Sequence, residues 1–301
     1  MLTRALMLCA IAFGSASLLL SPQLARGKAI TLGSISAEPA AEVKKIAPFI
    51  TYLAKQLLAE GIDQGKVIVA RSIPEMASFL REGRVDLHID SPFPAMALSH
   101  LSGRKFLLRR WKKGIGEYRT VIFTRKDSGI ARLEDLRGKI ISFEEPFSTS
   151  GYFLPKVMLL QRGLHPTAQK GFSERVGSGE VGYRFSYADE TTMVWVLKGI
   201  VAAGAMDNQS YLRQAGRDVE QLQVLHESNL VPRQIVSYRG DLSAPLLARI
   251  KDILLRMDQS EEGKKVLQDY EQTTRFDELS EQSRAVLLKL QPFLQGELEA
   301  E

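Results

Sequence analysis

The sequence of 301 residues has a single cysteine, and Cys9 stands within its first 25 residues. Beyond that point there is no thiol, which excludes a disulfide framework, a zinc–thiolate site and thiol catalysis. Aromatic residues make up only 8%, and the 40 bases and 35 acids are interspersed. No basic block interleaved with aromatics is present, so a nucleic-acid-binding surface is not indicated. The four histidines, His88, His100, His165 and His226, lack metal-ligand spacing. A Gly-x-Ser-x-Gly elbow, a Walker loop and a helical histidine pair are all missing, so no enzyme activity, metal or cofactor is expected. With 45% hydrophobic and 25% charged residues, the chain is not disordered, collagen-like or polytopic. At about 150 residues per domain, its length allows two lobes.

Acids are also missing from residues 1–25. Arg4 is followed by an apolar run, Ala5 to Leu20, and then by Ser21-Pro22-Gln23-Leu24-Ala25. This is the order of a secretory signal peptide, and cleavage is expected near Ala25. The sixteen-residue run is shorter than the roughly 20 residues needed to span hydrocarbon. Cys9 precedes the end of the run, which is the wrong place for a lipoprotein cysteine. The expected product is a cysteine-free exported chain with 39 bases and 35 acids, a net charge of +4.

From Ala29 onward, short β-branched runs alternate with segments of helical period. Strands are expected at Ile30–Ile35, Val67–Ala70 and Val85–Ile89, and helices at Val43–Ala59 (interrupted by Pro48), Pro74–Arg81 and Phe93–Ser99. This βαβαβα order implies a parallel sheet covered by helices. Strands Lys105–Leu108 and Tyr118–Thr124 follow, and then the character changes: a turn at Lys126–Ile130, a short helical turn at Leu133–Gly138 and a new strand at Lys139–Phe143. A second lobe is therefore expected at 125–231, inserted into a first lobe of 26–124 plus 232–301. The two crossings near Arg125 and Pro232 form a two-strand hinge over a ligand cleft. Within the second lobe we expect a helix at Ser150–Arg162, a Gly- and Ser-rich surface loop at His165–Gly182, a helix at Glu190–Lys198 and a strand at Ile200–Ala205. After strands at Leu222–His226 and Gln234–Arg239, the remainder reads as helical: Ala244–Met257, Glu261–Tyr270 and Ser280–Leu294.

One segment concentrates chemistry: Glu144-Glu145-Pro146-Phe147-Ser148-Thr149-Ser150-Gly151-Tyr152-Phe153-Leu154-Pro155. Three consecutive hydroxyls stand between a strand and a helix start, where free N–H groups and the helix dipole attract an anion, and Gly151 allows close backbone approach. An ordinary N-cap is the alternative reading.

Ser148-Thr149-Ser150-Gly151, together with Lys126-Asp127-Ser128-Gly129-Ile130 and the stretch from Leu133 to Lys139, resembles the PhnD-like periplasmic substrate-binding proteins of phosphate, phosphite and phosphonate ABC importers. Asp86, Ala95-Met96, Tyr118 and residues 199–208 add to the likeness, which runs from about Ile30 to about Gly263. The resemblance implies an α/β type II periplasmic-binding-protein fold with two lobes of mainly parallel sheet closing on a small ligand. It also implies an ABC permease as partner and a monomeric chain.

By the same resemblance, Ser148, Thr149 and Ser150 are ligand hydroxyls and Tyr118 is a cleft tyrosine; Thr120 shares its strand face by period two. Two positions depart from the pattern. Asp189 replaces a phosphonate-binding histidine, and Asp90, beside Ser91, replaces an aromatic. Acids that hold a ligand amine in aminophosphonate binders become Ser210 and Gln234. Asp189 also reads as the N-cap of its helix with Thr192 at the third position, and Asp207 as a cleft residue or a cap for 209–214. Lys112-Lys113 reads as a solvated turn, and Trp111 and Trp195 as packing residues. The expectation is a non-enzymatic solute-binding protein whose ligand is an oxyanion or zwitterion with a cationic or donor-rich part. The alternative is a sensory module feeding a membrane-bound kinase or cyclase.

Overall fold

The β-branched runs become strands because helices cover both faces of each sheet, which leaves little room for polar alternation. The computed structural model describes residues 28–298, so the leader and Cys9 lie outside the described residues. In chain order the elements are β1 (Lys28–Ile35), α1 (Pro39–Gln56), β2 (Ile62–Ala70), α2 (Ile73–Arg81), β3 (Leu87–Asp90), α3 (Pro92–Ser102), β4 (Lys105–Lys112), β5 (Glu117–Tyr118), β6 (Thr120–Arg125) and β7 (Ile140–Phe143). A π turn at Thr149–Phe153 runs into α4 (Leu154–Leu160), followed by β8 (His165–Ala168), β9 (Glu180–Phe185), α5 (Asp189–Leu197), β10 (Ala203–Asp207), α6 (Asn208–Ala215) and β11 (Leu222–Glu227). The chain ends with β12 (Val231–Pro232), β13 (Gln234–Tyr238), α7 (Ala244–Arg256), α8 (Glu261–Asp269), β14 (Thr273–Asp277) and α9 (Glu281–Leu298).

One sheet has the order β14-β4-β13-β3-β1-β2 and the other β11-β6-β10-β7-β9-β8. In the first, β2, β1 and β3 run parallel; in the second, β10, β7, β9 and β8 do. The antiparallel pair β5–β12 lies where the chain passes between the sheets. Because Thr120–Arg125 pairs with β10 and β11, the first crossing falls at β5, ahead of Arg125, and the return falls at β12. Tyr118–Thr124 is therefore two strands broken at Arg119. There the Arg119 N–H is taken by Asn208 Oδ1 at 3.3 Å and the Thr120 N–H by Ser228 Oγ at 3.0 Å.

Helix α1 starts at Pro39, earlier than the apolar periodicity suggests, and runs through Pro48, which faces solvent while Ile46, Phe49, Ile50 and Leu53 are buried. Gly65 of β2 allows this packing, since a Cβ there would lie 2.4 Å from the Ile50 carbonyl oxygen. Two edge strands escape the sequence reading. The expected surface loop at His165–Gly182 contains β8 and the start of β9, and the expected all-helical C-terminal region contains β14. Both β8 and β14 are edge strands rich in polar residues, and β8 carries Pro166; an edge tolerates a missing donor and needs no apolar run.

A continuous core joins Ile35, Met76 and Ala97 on the first-sheet side to Phe143, Phe153 and Leu159 on the other. Helix α9 lies over the crossing. Leu287, Leu290 and Leu294 enter this core, Ser283 Oγ donates to Glu117 at 3.0 Å, and Glu297 pairs with Lys156 at 2.6 Å.

Candidate functional site

A cavity of about 770 Å³ opens between the two sheets. Its chemistry-bearing residues follow the carboxyl ends of β1, β3, β7, β9 and β10, where α/β sheets bind ligands. Asp90 and Ser91 lead into α3, Ser148–Ser150 into the π turn, Asp189 opens α5 and Asp207 ends β10, and all of them line the cavity with Tyr118. Thr120 does not line it. The Thr120 side chain is fully buried, and its hydroxyl donates to the Ser150 carbonyl at 3.0 Å, supporting the loop from behind.

Ser148 caps the turn, its Oγ accepting the Gly151 N–H at 2.9 Å. The turn is wide because the Phe153 N–H reaches the Ser148 carbonyl at 3.0 Å, five residues back. The Ser148 hydroxyl donates to Glu144 Oε2 at 2.6 Å. Thr149 Oγ1 accepts the Phe93 N–H and donates to Ser91 Oγ, each at 2.8 Å, so it bridges to the first lobe. Phe93 also stacks on Phe153, with ring centroids 4.5 Å apart.

The second-lobe wall is acidic. Burial, helped by the charges of Asp189 and Asp207, pushes the Glu144 carboxyl up to about 7. Burial and then Glu144 push Glu145 up to about 8; across the cavity, at the end of β3 in the first lobe, burial pushes Asp90 up to about 7. Asp189 is also raised, mainly by burial. It is not the cap of its helix. The cap position is Ala188, which offers no side-chain acceptor; Asp189 is the first helical residue, with its carboxylate 3.8 Å from Arg213. The Thr192 hydroxyl turns instead to Ser142 and Ser186. Asp207 combines both roles foreseen for it: Oδ1 accepts the Gln209 and Ser210 N–H groups at 3.0 Å while the residue lines the cavity, 4.0 Å from Arg233.

The facing wall is a cationic network that the sequence reading misses. Arg110 is 1% exposed, lies 3.8 Å over the Tyr270 ring and pairs with Glu271 at 3.0 Å. Lys112 and Lys45 meet the same carboxylate at 2.7 and 3.3 Å. Lys112 is the partly buried end of β4, whereas Lys113 is an exposed turn residue with φ of 56°, so the solvated-turn reading holds for Lys113 alone; both line the cavity, and burial lowers the Lys112 ammonium. Burial alone would raise Glu271, but Lys112, Arg110 and Lys45 outweigh it and hold the carboxyl well below its usual range. Glu271 and Gln272 have φ of 52° and 54°, a strained conformation beside the cavity. At the crossing, Arg233 lies 4.5 Å over the Tyr118 ring, and burial pushes that phenol up to about 12.

Other cavity residues that the sequence reading passes over are Glu42, Glu144, Arg213 and the exposed Tyr187, whose φ is 59°. Arg110 falls within β4, which runs four residues past the strand expected at Lys105–Leu108, so a base that needs a partner when buried was not visible as a strand residue. Ser210 and Gln234 line the cavity too; Ser210 donates to Asp207 at 2.8 Å, and Gln234 accepts from Arg110.

A family model described as ABC transporter, phosphonate, periplasmic substrate-binding protein matches residues 32–283. The chain belongs to this family. The phosphonates-binding periplasmic protein of Escherichia coli K12 is 27% identical over 266 residues, covering 84% of this chain and 74% of that protein. XAC2383 from Xanthomonas citri bound to chloride ion superposes with a TM-score of 0.84 at 27% identity, covering 91% of this chain and 99% of that one. Its ATP-bound form gives 0.83 at 26%, covering 90% and 98%. The type II periplasmic-binding-protein fold implied by the family resemblance is the one observed. Among the described residues, no helix is long and apolar enough to cross a membrane.

Proposed function

We propose that this periplasmic binding protein holds an organic oxyanion that also carries an amine or another N–H donor, closes its lobes about the β5–β12 pair, and presents the closed monomer to an ABC permease. Export by the leader and binding without turnover belong to the same reading. The charge inventory of the cavity carries it: eight carboxyls and six cationic side chains face the space. A phosphonate dianion finds no net attraction there, whereas a molecule bearing both charges can turn its nitrogen to Glu144, Asp189 and Asp207 and its oxyanion to Lys45, Lys112 and Arg110.

Size supports the same class. A cavity of about 770 Å³ suits a drug-sized ligand, and methylphosphonate would leave most of it to water. XAC2383, whose solved structure holds ATP, offers a parallel, because ATP joins phosphates to an amino-purine.

Calorimetric titration of unfolded and refolded, ligand-free protein tests the reading with 2-aminoethylphosphonate, ATP, methylphosphonate and inorganic phosphate. One of the two nitrogen-bearing ligands is expected to bind at least about tenfold tighter than methylphosphonate. Tightest binding by methylphosphonate or phosphate would overturn it.

A further inference from the structure

Resting on the reading of the cavity as the ligand site, we propose that Glu144 is a built-in anion that occupies the hydroxyl loop and excludes a phosphoryl group from it, so that the ligand must present N–H donors there.

The carboxylate is placed by its own backbone. The Glu144 N–H donates to the Gly151 carbonyl at 2.9 Å, and the Glu144 carbonyl accepts the Tyr187 N–H at 2.7 Å. The side chain then lies over Gly151, where a Cβ would stand 2.4 Å from Glu144 Cβ and 2.8 Å from Oε2. In this position Oε2 takes the one hydroxyl hydrogen that Ser148 has to give. Thr149 spends its hydrogen on Ser91. Of the three hydroxyls only that of Ser150, 8% exposed and lining the cavity, keeps its hydrogen without a partner among the described residues. An incoming phosphoryl oxygen would meet a carboxylate where it needs donors.

The first lobe shows the contrast. Ser34 likewise donates to Glu42, at 2.7 Å in the first turn of α1, but Glu42 is ion-paired with Lys45. Asp189 and Asp207 have Arg213 and Arg233 within 4.0 Å. Glu144 makes no ion pair among the described residues, so its remaining acceptor capacity faces the cavity. Cationic or N–H groups of a ligand satisfy it; a phosphonate does not.

The test compares methylphosphonate binding at pH 8.5, above the value of about 7 to which burial raises Glu144, by wild-type protein and by Glu144→Gln, Glu144→Ala and Glu144→Asp, with circular dichroism confirming the fold of each. The Gln and Ala variants are expected to bind methylphosphonate at least tenfold tighter than wild type, and the Asp variant, one methylene shorter, to gain less. Adding Ser148→Ala to Glu144→Ala is expected to remove the gain, because the phosphoryl group would rest on that hydroxyl. Unchanged or weaker methylphosphonate binding in every folded variant overturns the proposal, as does a gain that survives the loss of Ser148. If neither nitrogen-bearing ligand binds wild type, the ligand class proposed above fails, while the methylphosphonate comparison still decides the role of Glu144.

Discussion

Thr149 and Ser91 join the two lobes through a hydroxyl–hydroxyl hydrogen bond of 2.8 Å, and the same Thr149 oxygen accepts the buried Phe93 N–H. One side chain thus links the hydroxyl loop of the second lobe to the start of α3 in the first.

Replacing Thr149 by Val keeps the shape and removes both hydrogen bonds, leaving the Phe93 N–H without its acceptor. The expected cost is about 1–3 kcal/mol, read as a drop in Tm of roughly 2–4 °C per kcal/mol. Thr149→Ser should recover most of it. Equal Tm values for the Val variant and wild type would show that the bond is not made in solution.

The raised carboxyls predict a pH dependence of the ligand-free protein. Glu144 and Glu145 titrate near 7 and 8 in the folded state against 4.5 for the free group, and Asp90 near 7 against 3.8. The native state therefore holds more protons than the unfolded one between these values, and stability falls as pH rises through the native pKa values. His88 and His226, whose folded-state values are lowered, act in the opposite sense, but only below the unfolded value of 6.5. Tm should thus decrease between about pH 6.5 and pH 8.5. The Glu144→Gln/Glu145→Gln double variant should flatten that slope, and a Tm rising with pH in both proteins would contradict the assignment.

Glu297 near the C-terminus holds α9 to the second lobe, reaching Lys156 at 2.6 Å and the Tyr152 hydroxyl, in a pocket where the Glu297 and Lys156 side chains are only 11% and 16% exposed. Removing one partner of a buried pair leaves an uncompensated charge, so Glu297→Ala is expected to destabilise the protein by about 3 kcal/mol. Lys156→Met in the same chain should recover part of the loss, because it removes the orphaned ammonium. Denaturant unfolding of the single and double variants measures both. A double variant less stable than the sum of the two single changes would refute the pairing.

Alternation of apolar runs with helical periods was enough to place β1, α2 and β3, because a sheet covered on both faces demands continuous apolar strands. The hydroxyl motif likewise announced a loop at the cavity wall, since three donors before a helix have a local physical meaning. Edge strands β8 and β14 stayed hidden, as an edge needs no apolar pattern. The charges of the cavity stayed hidden for a different reason. Arg110, Lys45 and Glu271 lie on three distant elements, and nothing in their own neighbourhoods tells that they meet. Asp189 looked like a helix cap by spacing, yet folding shifted the helix start by one residue and turned the carboxylate to the cleft. Sequence determined the alternating strands and helices, the hydroxyl loop and the family, because each rests on contiguous residues. Only the tertiary structure decided what the loop faces, because the Ser148–Glu144 bond, the acids around it and the cations opposite depend on where two sheets bring the ends of their strands.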